Sequence, residues 1–165
     1  MAIIKSQDVV SSYQEVIPGA GRLAKQYVDG IVQCVREQEL PVEIDVQEAA
    51  TGLLRSVMGK GREFLVIKPT NRALDVFRIL HYGVPSGVNL AAGWYLIGRV
   101  KGLGTTPMRV PVLHDIDLFD NADLQALVFS IHQFGVIDSL LSIADRVGYE
   151  RDRVKRETAG LFGVA

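Results

Sequence analysis

Between Arg62 and Gly98 three apolar runs follow one another, REFLVIK, LDVFRILHY and VNLAAGWYLIG, with only short connections between them. Each is rich in the β-branched and aromatic residues that suit a pleated surface. NRAL turns the first run, and Gly83–Gly87, GVPSG, has the residues of a hairpin loop. Runs joined this tightly read as antiparallel neighbours in one sheet. Upstream, VEIDVQ sets Val42, Ile44 and Val46 against Glu43, Asp45 and Gln47, the period of two of a half-buried strand. Residues 49–58 fit either a continued strand or a short helix. Downstream, MRVPVL reads as an edge strand, because Pro111 has no N–H to give to a ladder. Gly93 marks a bulge or a point of close backbone approach.

The flanks follow another period. Val9, Tyr13, Val16 and Ile17 are spaced as on a helix over Asp8–Ile17, and PGAG, Pro18 to Gly21, breaks it. A second helix is expected over Ala20–Glu39, with Leu23, Tyr27, Ile31, Cys34 and Val35 as its apolar stripe and Pro41 beyond its end. The last third carries Leu124, Leu127, Val128, Ile131 and Phe134, then Ile137, Leu140, Leu141 and Ala144 after Gly135. Gly135 kinks one helix or separates two, and Asp120 or Asn121 is the expected N-cap. The tail from Arg151 frays or docks through Leu161 and Phe162.

Elements segregated in this way define an α+β protein: an antiparallel sheet of four to five strands covered on one face by N-terminal and C-terminal helices. The expected organisation is a single domain over 1–165, helical in 8–39, sheet in 42–113, helical in 120–153, with a tail at 154–165. The 165 residues, 48% of them hydrophobic, suffice for one core. Cys34 is the sole cysteine, which excludes an internal disulfide and a cysteine-built zinc site. The first residues, MAIIKSQDVVSSYQ, lack the pattern of a signal peptide, and the apolar stretch Leu124–Ala144 is interrupted by Gln125, His132, Gln133 and Asp138. The expectation is a cytoplasmic protein with no membrane span.

The motifs of chemistry fail one by one. TGLLRSVMGKGREFLVIKPTNR looks like a phosphate loop, but six residues separate Gly52 from Gly59, Gly61 stands where Ser or Thr must hold Mg²⁺, and a strand follows instead of a helix. In GRVKGLGTTP the third glycine of a dinucleotide loop is replaced by Pro107. Of the three histidines, His81, His114 and His132, none has a partner at the helical spacing of a zinc site. No G-x-S-x-G elbow is present. Cys34 sits on an apolar stripe, as a packed small hydrophobe does. HDIDLFDNAD, His114 to Asp123, gathers carboxylates but lacks the glycine and glutamate of an EF-hand loop. If the third run is a regular strand, Trp94 and Tyr95 face opposite sides, so only one of them lines an apolar pocket.

Charge is the uneven property. The net charge of −1 conceals nine Lys and Arg against two acids in residues 52–109, with an excess of four acids on either side. The preferred reading is a non-catalytic binding or assembly module with no cofactor and no metal. Its partner is a protein, a second copy included, and the contact residues are Arg55, Lys60, Arg62, Lys68 and Arg72. The alternative is nucleic acid or another phosphate-rich ligand on the basic 52–109 segment, although the pI of 6.3 and the lack of an RNA-recognition aromatic motif oppose it. A further alternative is an enzyme, metal-dependent or holding an apolar ligand near Trp94.

Overall fold

A computed structural model describes residues 2–4, 9–51, 62–98 and 117–160. Among the described residues seven strands form one sheet: β1 Ala2–Ile4, β2 Val9–Ile17, β3 Val42–Thr51, β4 Arg62–Pro69, β5 Phe77–Ser86, β6 Asn89–Gly98 and β7 Ala159–Gly160. Their spatial order is β1-β3-β4-β5-β6-β2-β7. All neighbours are antiparallel except β1, which runs parallel to the end of β3. The α+β class stands. The sheet is wider than expected because both chain ends add strands to it.

The largest correction is at Val9–Ile17, which is strand β2 and not helix. Ser11, Tyr13 and Ile17 are buried at the alternate positions. The period of two is disguised because two inward positions are polar. The Ser11 hydroxyl donates to the Ala159 carbonyl at 2.7 Å, and Glu15 receives the backbone N–H groups of Val16 and Lys155 at 2.7 and 2.5 Å. A buried hydroxyl with a partner fits a strand interior as a small apolar residue does.

The β5–β6 loop is tighter than GVPSG suggested. The strands run to Ser86 and from Asn89, so Gly87 and Val88 alone turn the chain, with Gly87 at φ +62°. Gly93 is a point of close approach in continuous register: a Cβ there would stand 2.1 Å from the Tyr13 carbonyl oxygen. NRAL is a short 3-10 turn, its Asn71 side chain accepting the Ala73 N–H at 3.0 Å. MRVPVL, residues 108–113, lies outside the described residues.

Helix α1, Ala24–Glu37, follows a 3-10 turn at Gly21–Leu23 and buries Tyr27, Ile31, Cys34 and Val35. Helix α2 is continuous over 30 residues, Leu118–Val147. Asp117 caps it, one turn earlier than expected, accepting the Asp120 N–H at 2.9 Å. Gly148, at φ +68°, ends it in the left-handed conformation that helix C-caps favour. By length and composition α2 could cross a bilayer. It is instead the core helix, with Leu124, Val128, Ile131, Val136, Ile137, Leu140, Ile143 and Ala144 buried.

Residues Ile131–Ile137 of α2 form a π-helical segment. The wider turn, with i→i+5 bonding, brings Ile131, His132, Gly135, Val136 and Ile137 all inward. Gly135 therefore does not divide the helix. Both helices pack on one face of the sheet, against Tyr13, Ile17, Leu65, Ile67, Phe77, Ile79, Leu90, Trp94 and Leu96. The opposite face carries a smaller buried cluster of Phe64, Val66, Leu80, Tyr82 and Ile97. With apolar residues on both faces, the central strands read as continuous runs in the sequence.

Candidate functional site

Of the five basic contact residues, Lys68 and Arg72 have described side chains. Arg55 and Lys60 lie outside the described residues. Arg62 opens β4, and Lys68 stands six positions along the same extended strand, roughly 20 Å away. Lys68 and Arg72 line one shallow recess, together with Glu43 and Asp75. Lys68 Nζ is 2.8 Å from Asp75 Oδ1, and Arg78 reaches that carboxylate at 3.9 Å. These contacts are half-exposed and weakly stabilising, but they set the local sign: the recess is mixed rather than cationic. Asn71, beside Arg72, donates to Asp120 at 3.0 Å and ties the β4–β5 connection to the first turn of α2.

A second recess runs between α1 and α2, and sequence reasoning missed it. The two helices approach through small residues. A Cβ on Gly30 would meet Ser139 Oγ at 2.2 Å, and one on Gly135 would meet Cys34 Sγ at 3.4 Å. The signal was present: Gly30 and Cys34 on one helix, Gly135 and Ser139 on the other, each pair four residues apart. The groove beside this crossing is walled by Asp29, Glu37 and Asp138, with Lys25 at one end and Phe134 on its rim. Lys25 is paired with Asp29 at 2.6 Å, and Gln33 donates to Glu37 at 2.6 Å. Phe134 is 51% exposed. Cys34 lies at the base, its thiol pushed up by burial and then by the charges of Asp138 and Glu37. A thiol so placed stays protonated and is a poor nucleophile.

Beneath the helices lies a buried polar cluster. Trp94 Nε1–H donates to His132 Nδ1 at 3.2 Å, and His132 Nε2 stands 2.9 Å from the Arg156 carbonyl oxygen. An accepting Nδ1 leaves the proton on Nε2, so His132 is neutral and donates to Arg156. Burial lowers its affinity for a second proton, partly opposed by the Arg156 carbonyl. The Tyr13 ring packs edge-on to His132 with centroids 4.7 Å apart, and its hydroxyl donates to the Lys155 carbonyl. Burial raises the Tyr13 pKa. His81, opposite Trp94 in the β5–β6 register, is fully buried, and burial with the neighbouring His132 pushes it down to about 3. Among the described residues neither His81 ring nitrogen nor the Tyr27 hydroxyl has a hydrogen-bond partner. The cluster fastens the segment after α2 to β2 and β6.

Trp94 is buried under the helices, while Tyr95 stacks on Tyr82 at 5.7 Å on the opposite face. His114 and Asp115 lie outside the described residues, the Asp117 carboxylate caps α2, and the Asp120 carboxylate accepts from Asn71. Among the described residues no group of three or more His, Cys, Asp and Glu is placed to hold a metal ion. Comparison with protein families, with curated proteins and with solved structures finds no match.

Proposed function

We propose that this chain is a non-catalytic binding or assembly module that meets a protein partner through opposed charge. The basic residues Arg55, Lys60, Arg62, Lys68 and Arg72 supply one side of the contact. An acidic surface supplies the other, and the α1–α2 groove of a second copy has the required chemistry. The observation that carries the reading is this groove, three exposed carboxylates around an exposed Phe134. A partly exposed aromatic inside a charged rim is how protein contacts are commonly built. The groove lies between the helices, and the described part of the basic segment, residues 62–98, lies in the sheet and its connections. Self-contact through them is therefore head-to-tail, which closes into rings or runs on as filaments.

Lys60→Glu with Arg62→Glu is the test, read by sedimentation over a range of salt concentrations. Wild-type association that weakens with salt and is lost in the double variant supports the proposal. A double variant that associates like wild type sinks it. Nucleic acid is the lesser reading, since Asp75 already holds Lys68 and Arg78. No retention on heparin at low salt would dispose of it.

A further inference from the structure

Two of the carboxylates around the α1–α2 groove are not matched by a cation among the described residues. Asp29 is paired with Lys25 at 2.6 Å, which leaves Glu37 and Asp138. Glu37 is the last residue of α1, and Asp138 comes from α2. Both are exposed. After burial, the charges that raise the Cys34 thiol are those of Asp138 and Glu37. The two carboxylates therefore approach one floor from opposite walls. Gln33 Nε2 donates to Glu37 Oε1 at 2.6 Å and steadies that side chain. Glu37 Oε2 and the Asp138 carboxylate receive no donor among the described residues.

The floor and rim are equally uncommitted. Cys34 lines the groove at 6% exposure, and its thiol has no hydrogen-bond partner among the described residues. Phe134 stands four positions before Asp138 on α2, a spacing that puts two side chains on one helix face. Its ring is 51% exposed, and no other described aromatic ring packs on it. The groove has a volume of about 680 Å³, ample for one long side chain.

This combination selects among cations. Carboxylates on opposite walls beside an aromatic ring suit an organic cation better than a metal ion, which needs six or more oxygens about one point. An ammonium is a compact, strongly hydrated charge. A guanidinium is planar and weakly hydrated, and it offers five donors in one plane with a face that stacks on a ring. Resting on the reading of this groove as the acidic side of a protein contact, we infer that it is an arginine-binding site. The guanidinium of an arginine on the partner protein stacks on Phe134 and donates to Glu37 and Asp138 together, and its aliphatic stem lies over Cys34. Lysine reaches the same carboxylates without the planar stack. The groove therefore adds a choice of residue to the attraction of opposite charge.

The probe is a heptapeptide with one central Arg among Gly and Ser, beside its Lys counterpart, titrated into the isotope-labelled protein. Backbone NMR shifts should concentrate at residues 29–38 and 134–142, and the arginine peptide should bind at least about threefold more tightly. Asp138→Asn keeps the side-chain shape and should weaken the arginine peptide by at least the same factor. Phe134→Leu keeps an apolar side chain but no ring face, and should bring the preference for arginine below about twofold. Both positions are exposed, so both variants should fold. A smaller preference in wild type, shifts centred elsewhere, full binding by Asp138→Asn, or a preference kept by Phe134→Leu would overturn the inference. Equal binding of both peptides in the groove would overturn it and leave the acidic contact standing, whereas binding of neither there would remove both.

Discussion

His81 offers a test of the buried cluster that can be worked through in magnitude. The ring is fully buried and is pushed down to about 3, against about 6.5 in the unfolded chain. A lowered folded value means that the unfolded state binds more protons between those limits. Stability is therefore complete above about pH 7, falls as the pH drops through 6.5, and levels off only near pH 3. At pH 5 an unfolded His81 is almost fully charged, and the folded one is almost fully neutral. The difference from pH 7.5 is one and a half pKa units, or about 2 kcal/mol from this residue alone. His132 acts in the same direction, since burial lowers it too. Leucine at position 81 removes the titration and two buried nitrogens that have no partner among the described residues, and replacing such groups by apolar ones is close to neutral. Urea denaturation at pH 7.5 and pH 5 measures the effect. Wild type should lose about 2 kcal/mol more than His81→Leu over that interval. Equal losses in the two proteins would mean that His81 has a partner or reaches water, and the reasoning would fail.

Two further perturbations probe the same region. His132→Phe should cost about 2–3 kcal/mol, because the buried Trp94 N–H loses its acceptor and Arg156 loses its anchor; hydrogen exchange should rise at Ser11 and Ser12, where β7 pairs. Gly93→Ala should destabilise by more than about 2 kcal/mol, since the new Cβ meets the Tyr13 backbone oxygen, which cannot swing aside; Gly19→Ala, in open space at φ +72°, should cost about 1 kcal/mol in a parallel thermal melt.

The sheet was legible where its strands are buried on both faces. Phe64–Ile67 and Ile79–Tyr82 are continuously buried runs, apolar but for His81, because helices cover one side and a second cluster lies on the other. It was illegible at β2, where Val9, Tyr13, Val16 and Ile17 match a helical spacing by coincidence. The signal that decides for a strand is held by Ser11 and Glu15, whose partners Ala159 and Lys155 are more than a hundred residues away. No local pattern reports such a partner. The charge contrast was legible as a sum but not as a surface. Asp75, the nearest acid to Lys68 and Arg78 in the fold, turns the described part of the basic segment into a mixed recess. The α1–α2 groove escaped notice because its walls come from acids at unrelated positions. Only the spacing of the small residues at the crossing records the approach of the helices.

Two acidic residues, one on β2 and one on β3, share a local device. Outward N–H groups at the sides of an open sheet recruit other chains when left bare. Glu15 and Asp45 each turn a carboxylate onto the N–H that follows it. At β2 the same carboxylate also receives the Lys155 N–H, so Glu15 holds the segment after α2 on the strand. Glu15→Ala should therefore loosen that segment: hydrogen exchange should rise at Lys155 and, where β7 pairs, at Ser11 and Ser12. Unchanged exchange at these positions would mean that the segment is held without Glu15.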